Sequence, residues 1–111
     1  MSAAQDFEHG VGPVLHTTPF ARTVASVIED ENHNAVIVDE GAYLRVLASR
    51  VCRLSRAGLE TAVGPDIRFP GDLEVVMSSF AGVMELTEDG AVWRLSSESS
   101  VDPDAVPKDD P

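Results

Sequence analysis

Aromatic side chains supply only 5% of this 111-residue chain, so any core must be mostly aliphatic, drawn from a hydrophobic content of 43%. That length fits one domain of ordinary size. There is a single cysteine, Cys52, which excludes an intrachain disulfide and a cysteine-rich zinc site. Lying between Val51 and Arg53 in an alternating apolar run, it reads as a small buried hydrophobe. Basic residues are scarce, 8 against 19 acidic ones, and the formal net charge is −11. A field of that sign repels phosphate backbones and anionic lipid, which argues against a nucleic-acid or membrane-surface binder. No apolar run approaches the roughly 20 residues a bilayer span needs. The first ten residues contain Asp6 and Glu8 and no apolar stretch, so no signal peptide is read there. The expectation is a soluble cytoplasmic protein.

Composition divides the chain into three. Residues 1–10 are polar and aperiodic, and 96–111 are rich in Ser, Asp and Pro. Neither can bury enough surface to offset ordering entropy, so both are expected to be disordered tails, the second acidic. The folded unit should span 11–95, without internal repeats.

Within it, Val11-Gly12-Pro13-Val14-Leu15 reads as a short strand, and Pro13, lacking an N–H, suggests an edge strand or a strand start. Thr18 before Pro19 is a helix N-cap followed by proline at the first helical position. Phe20, Val24, Val27 and Ile28 then recur on one helical face. Glu29-Asp30-Glu31 sits at the negative end of that helix's dipole, either as a solvated terminus or as an acidic docking surface. Ala35–Val38 is a second strand, and Asp39-Glu40-Gly41 a turn. Tyr43–Ala48 is a third strand, with Tyr43, Arg45 and Leu47 on one face and Leu44, Val46 and Ala48 on the other. Val51–Leu54 extends it or pairs with it after a break at Ser49-Arg50. Arg45, Arg50, Arg53 and Arg56 are half of the eight basic residues; they either neutralise nearby acids or form a positive patch. Ser55 caps a second helix burying Leu59, Ala62 and Val63, which Gly64-Pro65 stops. Pro70-Gly71-Asp72 opens a helical turn to Val75. Strands at about 79–87 and 91–95 follow, joined by the hairpin signal Glu88-Asp89-Gly90. The order β-α-β-β-(β)-α-(α)-β-β describes an α+β domain with helices packed on a mostly antiparallel sheet.

Constellations for chemistry are sparse. His9, His16 and His33 lack the spacing of a helical metal site. Ser78 and Ser79 lack a nucleophile elbow. Gly10-Val11-Gly12-Pro13 is no phosphate loop, because the proline removes a donor. In contrast, Ser78-Ser79-Phe80-Ala81-Gly82 joins small polar and aromatic side chains beside a glycine, a composition suited to contact with another surface. The reading is a binding protein.

The ordered series Val11-Gly12-Pro13, the helix opened by Thr18, Ala42-Tyr43-Leu44-Arg45, Ser78-Ser79-Phe80-Ala81-Gly82 and the final hairpin covers roughly 11–95. It resembles the coupling, or effector, proteins of soluble di-iron multicomponent monooxygenases, which oxidise methane, alkenes, phenol or toluene; the toluene and alkene type is the nearer match. The methane type carries an Arg after the glycine where this chain has Val83, so that subgroup's details are not transferred. The resemblance implies a cofactor-free, non-catalytic component of a four-component system, a monomer when free. Its partner would be the hydroxylase component carrying the di-iron centre, on which it would regulate oxygen activation, substrate access and coupling to electron transfer. Val76, Ser78, Ser79, Phe80 and Gly82 match the family segment that faces the hydroxylase; a bent strand packing on its own helix would account for the same residues. Two other classes stand beside this one: a ferredoxin-like domain binding a small regulatory molecule, and a small enzyme using His16 or His33.

Overall fold

A computed structural model describes residues 10–95; apart from Gly10, the two expected tails lie outside the described residues. The first strand is β1 (Gly10–His16). Helix α1 (Pro19–Glu31) follows, opened by the Ala21 N–H donating to Thr18 Oγ1 at 3.0 Å. Its buried face comprises Ala21, Val24, Ala25, Val27 and Ile28, with Phe20 half-buried. Next come β2 (Val36–Asp39), β3 (Tyr43–Ser49) and β4 (Val51–Ser55). After them the chain forms α2 (Arg56–Val63), α3 (Gly71–Val76), β5 (Met77–Ala81), β6 (Val83–Thr87) and β7 (Gly90–Arg94). No described helix is long and apolar enough to cross a membrane.

The strands form two sheets with every pairing antiparallel, one in the order β2-β3-β1-β5 and one in the order β4-β7-β6. The α+β class holds, and so do the alternating faces of β3: Leu44, Val46 and Ala48 are buried while Tyr43 and Arg45 are exposed. The arrangement is unlike a ferredoxin-like domain, in which one sheet carries all the strands. Valines, leucines, Cys52 and Trp93 from both sheets meet the buried sides of the helices in one core. Burial raises the Cys52 thiol pKa to about 12, because an anion there would lose its hydration.

Four expectations are corrected. First, β1 lies between β3 and β5 rather than at an edge. It accommodates Pro13 because its pairing with β3 passes over Gly12 and Pro13, from Val11 opposite Ala48 to Val14 opposite Arg45. Second, β4 does not pair with β3. Arg50, with φ of 74°, turns the chain out of the first sheet, and β4 pairs with β7. Third, the strand expected over 79–87 is two strands. Gly82, with φ of 98°, sends β5 to β1 and β6 to β7. Fourth, Ala62 and Val63 are exposed and only Leu59 of α2 is buried. At the start of this helix a Cβ on Gly58 would meet Glu31 and Val27 of α1, whereas Ala62 and Val63 near its end face solvent.

Asn32 and Glu31, at the end of α1, close the open edge of β4. The Asn32 amide donates to Arg53 O at 2.7 Å and to Ile28 O at 2.8 Å, and its Oδ1 accepts from the Arg53 N–H at 3.0 Å. The Glu31 carboxylate accepts from the Ser55 N–H at 2.8 Å and the Ser55 hydroxyl at 2.6 Å, while Ser55 Oγ accepts from the Gly58 N–H. One of the three terminal acids is therefore a structural acceptor.

Candidate docking surface

Strand β5 is the edge of the first sheet, and its ladder with β1 is irregular. Val14 lies opposite Ser79 and Leu15 opposite Met77, so Ser78 is an extra residue and the strand bulges there. A bulge bends an edge strand and re-aims its side chains. Ser78 Oγ donates to Val14 O at 3.3 Å, which fixes the distortion. Ser78, Ser79 and Phe80 are exposed, Phe80 to 42%. A half-exposed Phe is a large apolar contribution at a sheet edge.

Of the five residues singled out in the sequence, the structure brings Ser78, Ser79, Phe80 and Gly82 onto one exposed segment and leaves Val76 in the core at 8% exposure. Val76 follows Leu73 by one helical turn, and these two are the buried residues of α3. Gly82 is required by the fold itself: a Cβ there would meet the Arg94 carbonyl oxygen and lie 2.8 Å from Val11 Cγ1. Two residues missed in the sequence belong to the same segment. Val75 is 78% exposed and Val83 is also an exposed large hydrophobe. The signal for Val75 was its spacing, since it falls off the Leu73–Val76 face.

No charged side chain occurs between Glu74 and Glu85, although the chain carries a net charge of −11. This stretch is an uncharged strip, and its exposed residues are Val75, Ser78, Ser79, Phe80, Gly82 and Val83. A surface of that kind desolvates cheaply and resembles the centre of a protein–protein interface more than its rim.

Behind the strip, Val14, Glu40, Tyr43, Arg45, Ser78 and Ser79 line a hollow of about 310 Å³. Tyr43 packs its ring against His16, with centroids 5.6 Å apart. A second hollow, of about 320 Å³, lies on the other sheet, with Leu54, Ala91 and Val92 among its lining residues. The arginines close in sequence are dispersed: Arg45 sits on β3, while Arg53 is on β4 in the second sheet and Arg56 opens α2. Neutralisation describes Arg56, whose Nε lies 2.9 Å from Glu60 Oε2. Arg45 approaches Glu40 at 3.7 Å. Among the described residues, no three His, Cys, Asp or Glu side chains are grouped to hold a metal ion. His16 and His33 are both exposed.

Residues 9–94 match the MmoB/DmpM family. The effector subunit of the alkene monooxygenase system of Xanthobacter autotrophicus (strain Py2) is 32% identical over 92 residues, covering 81% of this chain and 90% of that protein. Two chains from structures of a phenol hydroxylase–regulatory protein complex superpose with TM-scores of 0.70 and 0.67. Each is 19% identical and is matched over 77% of this chain, and over 95% and 98% of its own length. At that identity the two superpositions show a shared fold.

Proposed function

We propose a role for this chain from one premise: it belongs to the MmoB/DmpM family. It acts as the effector component of a multicomponent di-iron monooxygenase, performing no oxidation itself and docking on the hydroxylase that does. The observation that carries this reading is the extent of the family match, 9–94, which coincides with the described folded unit. The alkene monooxygenase effector subunit supports it in sequence.

The mechanism is linkage. An effector can shift a hydroxylase between conformations only by binding one of them more tightly than another. A tenfold rise in the active population needs about 1.4 kcal/mol of differential binding, less than one good interfacial anchor contributes. The uncharged strip of β5 supplies such contacts, with Phe80 as the anchor, Ser78, Ser79 and the backbone at Gly82 beside it, and Val75 and Val83 at its ends. Val76 acts from beneath, by seating α3. We take 11–95 as the docking unit and the cytoplasm as its site of action, in keeping with an acidic composition and a buried, unpaired Cys52.

Titrating the protein into its cognate hydroxylase should raise both turnover and product formed per reducing equivalent, saturating near stoichiometry. Unchanged turnover would refute the reading. Phe80→Ala should weaken docking by about 1–3 kcal/mol, and a melting curve of the variant separates that loss from the stability cost of removing a ring that is 42% exposed.

A further inference from the structure

The hollow behind β5 contains an arginine whose bonding is incomplete. Val14 lies opposite Arg45 on one side and opposite Ser79 on the other, so the three residues form one row across β3, β1 and β5. Val14 supplies the half-buried apolar floor, with Tyr43 and Glu40 at the rim. Glu40 is held there by its N–H donating to Tyr43 O at 2.9 Å and its carbonyl accepting from the Ala42 N–H at 3.1 Å. A guanidinium offers five N–H donors in a fixed fork. The ion pair recorded for Arg45 is one approach, Nε to Glu40 Oε2 at 3.7 Å, beyond hydrogen-bond range, with the side chains 51% and 48% exposed. Three hydroxyl-bearing residues, Tyr43, Ser78 and Ser79, line the same hollow, and Arg45 is its one cation.

We infer that this hollow receives an acidic side chain of the hydroxylase, whose carboxylate takes the Arg45 fork while Glu40 acts as an internal competitor that must be displaced. The inference rests on the docking reading above and adds to it a second contact, on the sheet face that carries Ser79 and two strands inward from β5. Charge complementarity and continuity with the β5 strip support it. The strip itself carries no charge, so the one cationic group lining the hollow, Arg45, supplies the charge that recognises an anion. A planar guanidinium pairs with a carboxylate through two parallel hydrogen bonds, a geometry that Glu40 does not supply.

The two partners of the internal pair should therefore respond with opposite sign. Arg45→Gln removes the fork and should raise the dissociation constant for the hydroxylase roughly 10- to 100-fold. Glu40→Gln removes the competitor and should lower it about two- to fivefold, the scale of an exposed ion pair. Glu60→Gln is the control, because it breaks the half-buried Arg56 pair outside the hollow with the same change in net charge; it should leave affinity unchanged. Binding of the full chain to the cognate hydroxylase is measured by calorimetry at fixed salt, with a thermal melt of each variant. Wild-type affinity in Arg45→Gln overturns the inference, and so does affinity in Glu40→Gln equal to or below that of Glu60→Gln. If Phe80→Ala weakens binding while both hollow variants leave it unchanged, the hollow fails and the docking reading stands. No binding by the wild-type chain overturns both.

Discussion

Replacing Gly82 by Ala should be the most damaging single-methyl substitution in the uncharged strip. The residue turns the chain from one sheet into the other at φ of 98°, where an L side chain costs about 1–2 kcal/mol. The added Cβ would also press on the Arg94 carbonyl oxygen and on Val11 Cγ1 at 2.8 Å. Arg94 ends β7, and Val11 is fully buried in β1. Neither can retreat without disturbing a ladder, so overpacking adds about 1–3 kcal/mol. The sum, about 2–5 kcal/mol, is a large part of the total stability of a small domain. Gly41→Ala isolates the first contribution: its φ is 85°, and nothing lies within 4 Å of the added Cβ. It should cost only about 1–2 kcal/mol. Urea unfolding followed by Trp93 fluorescence measures both variants, and with a slope of about 1–3 kcal/mol/M the Gly82 midpoint should fall by roughly 0.7–5 M. Equal midpoints for the two variants, or a Gly82→Ala change below about 0.5 kcal/mol, would refute the argument that backbone contact makes glycine necessary there.

Asn32→Asp should destabilise the fold by at least about 1–3 kcal/mol, because a carboxylate cannot donate to Ile28 O and Arg53 O. The deficit should shrink as the pH falls into the range that protonates the new carboxyl, and a pH-independent deficit in urea melts would contradict this. Cys52 should resist a thiol reagent at pH 8 until the protein unfolds, and rapid native labelling would contradict its burial. Its raised pKa also carries a sign. Below pH 9 the thiol is neutral in both states and its contribution is fully present. From the ordinary value of 9.0 up to about 12 only the unfolded chain ionises, so stability from this group declines as pH rises. Cys52→Ala should remove about 1.4 kcal/mol per pH unit of that alkaline slope; an unchanged slope would assign it to other groups.

Local patterns were the legible part of the fold. Thr18-Pro19 announced α1, and the alternation from Tyr43 to Ala48 gave both faces of β3 correctly. Each of these is repeated over several residues or has a dedicated side chain. The division into two sheets was not legible, because it depends on single dihedral choices at Arg50 and Gly82. An arginine in the left-handed region has no compositional mark, and a glycine within an apolar run reads equally well as a pause in one strand. Asn32 was also missed: two of its three hydrogen bonds reach across 21 residues to Arg53, a tertiary fact that no window around it contains. The candidate surface was found through its serines and Phe80. Val76 joins it only through the family resemblance; its one-turn spacing from Leu73 places it in the core.

The stretch from Met77 to Thr87 belongs to both sheets, five residues on each side of Gly82. A load applied to its first half is borne by its second, which is zipped to the hairpin holding Trp93. The surface offered for docking is thus the outer end of a lever whose other arm pairs with β7, the strand that carries the buried Trp93. Amide protons from Glu85 to Thr87, beyond the docking strip, should exchange more slowly whenever β5 is gripped.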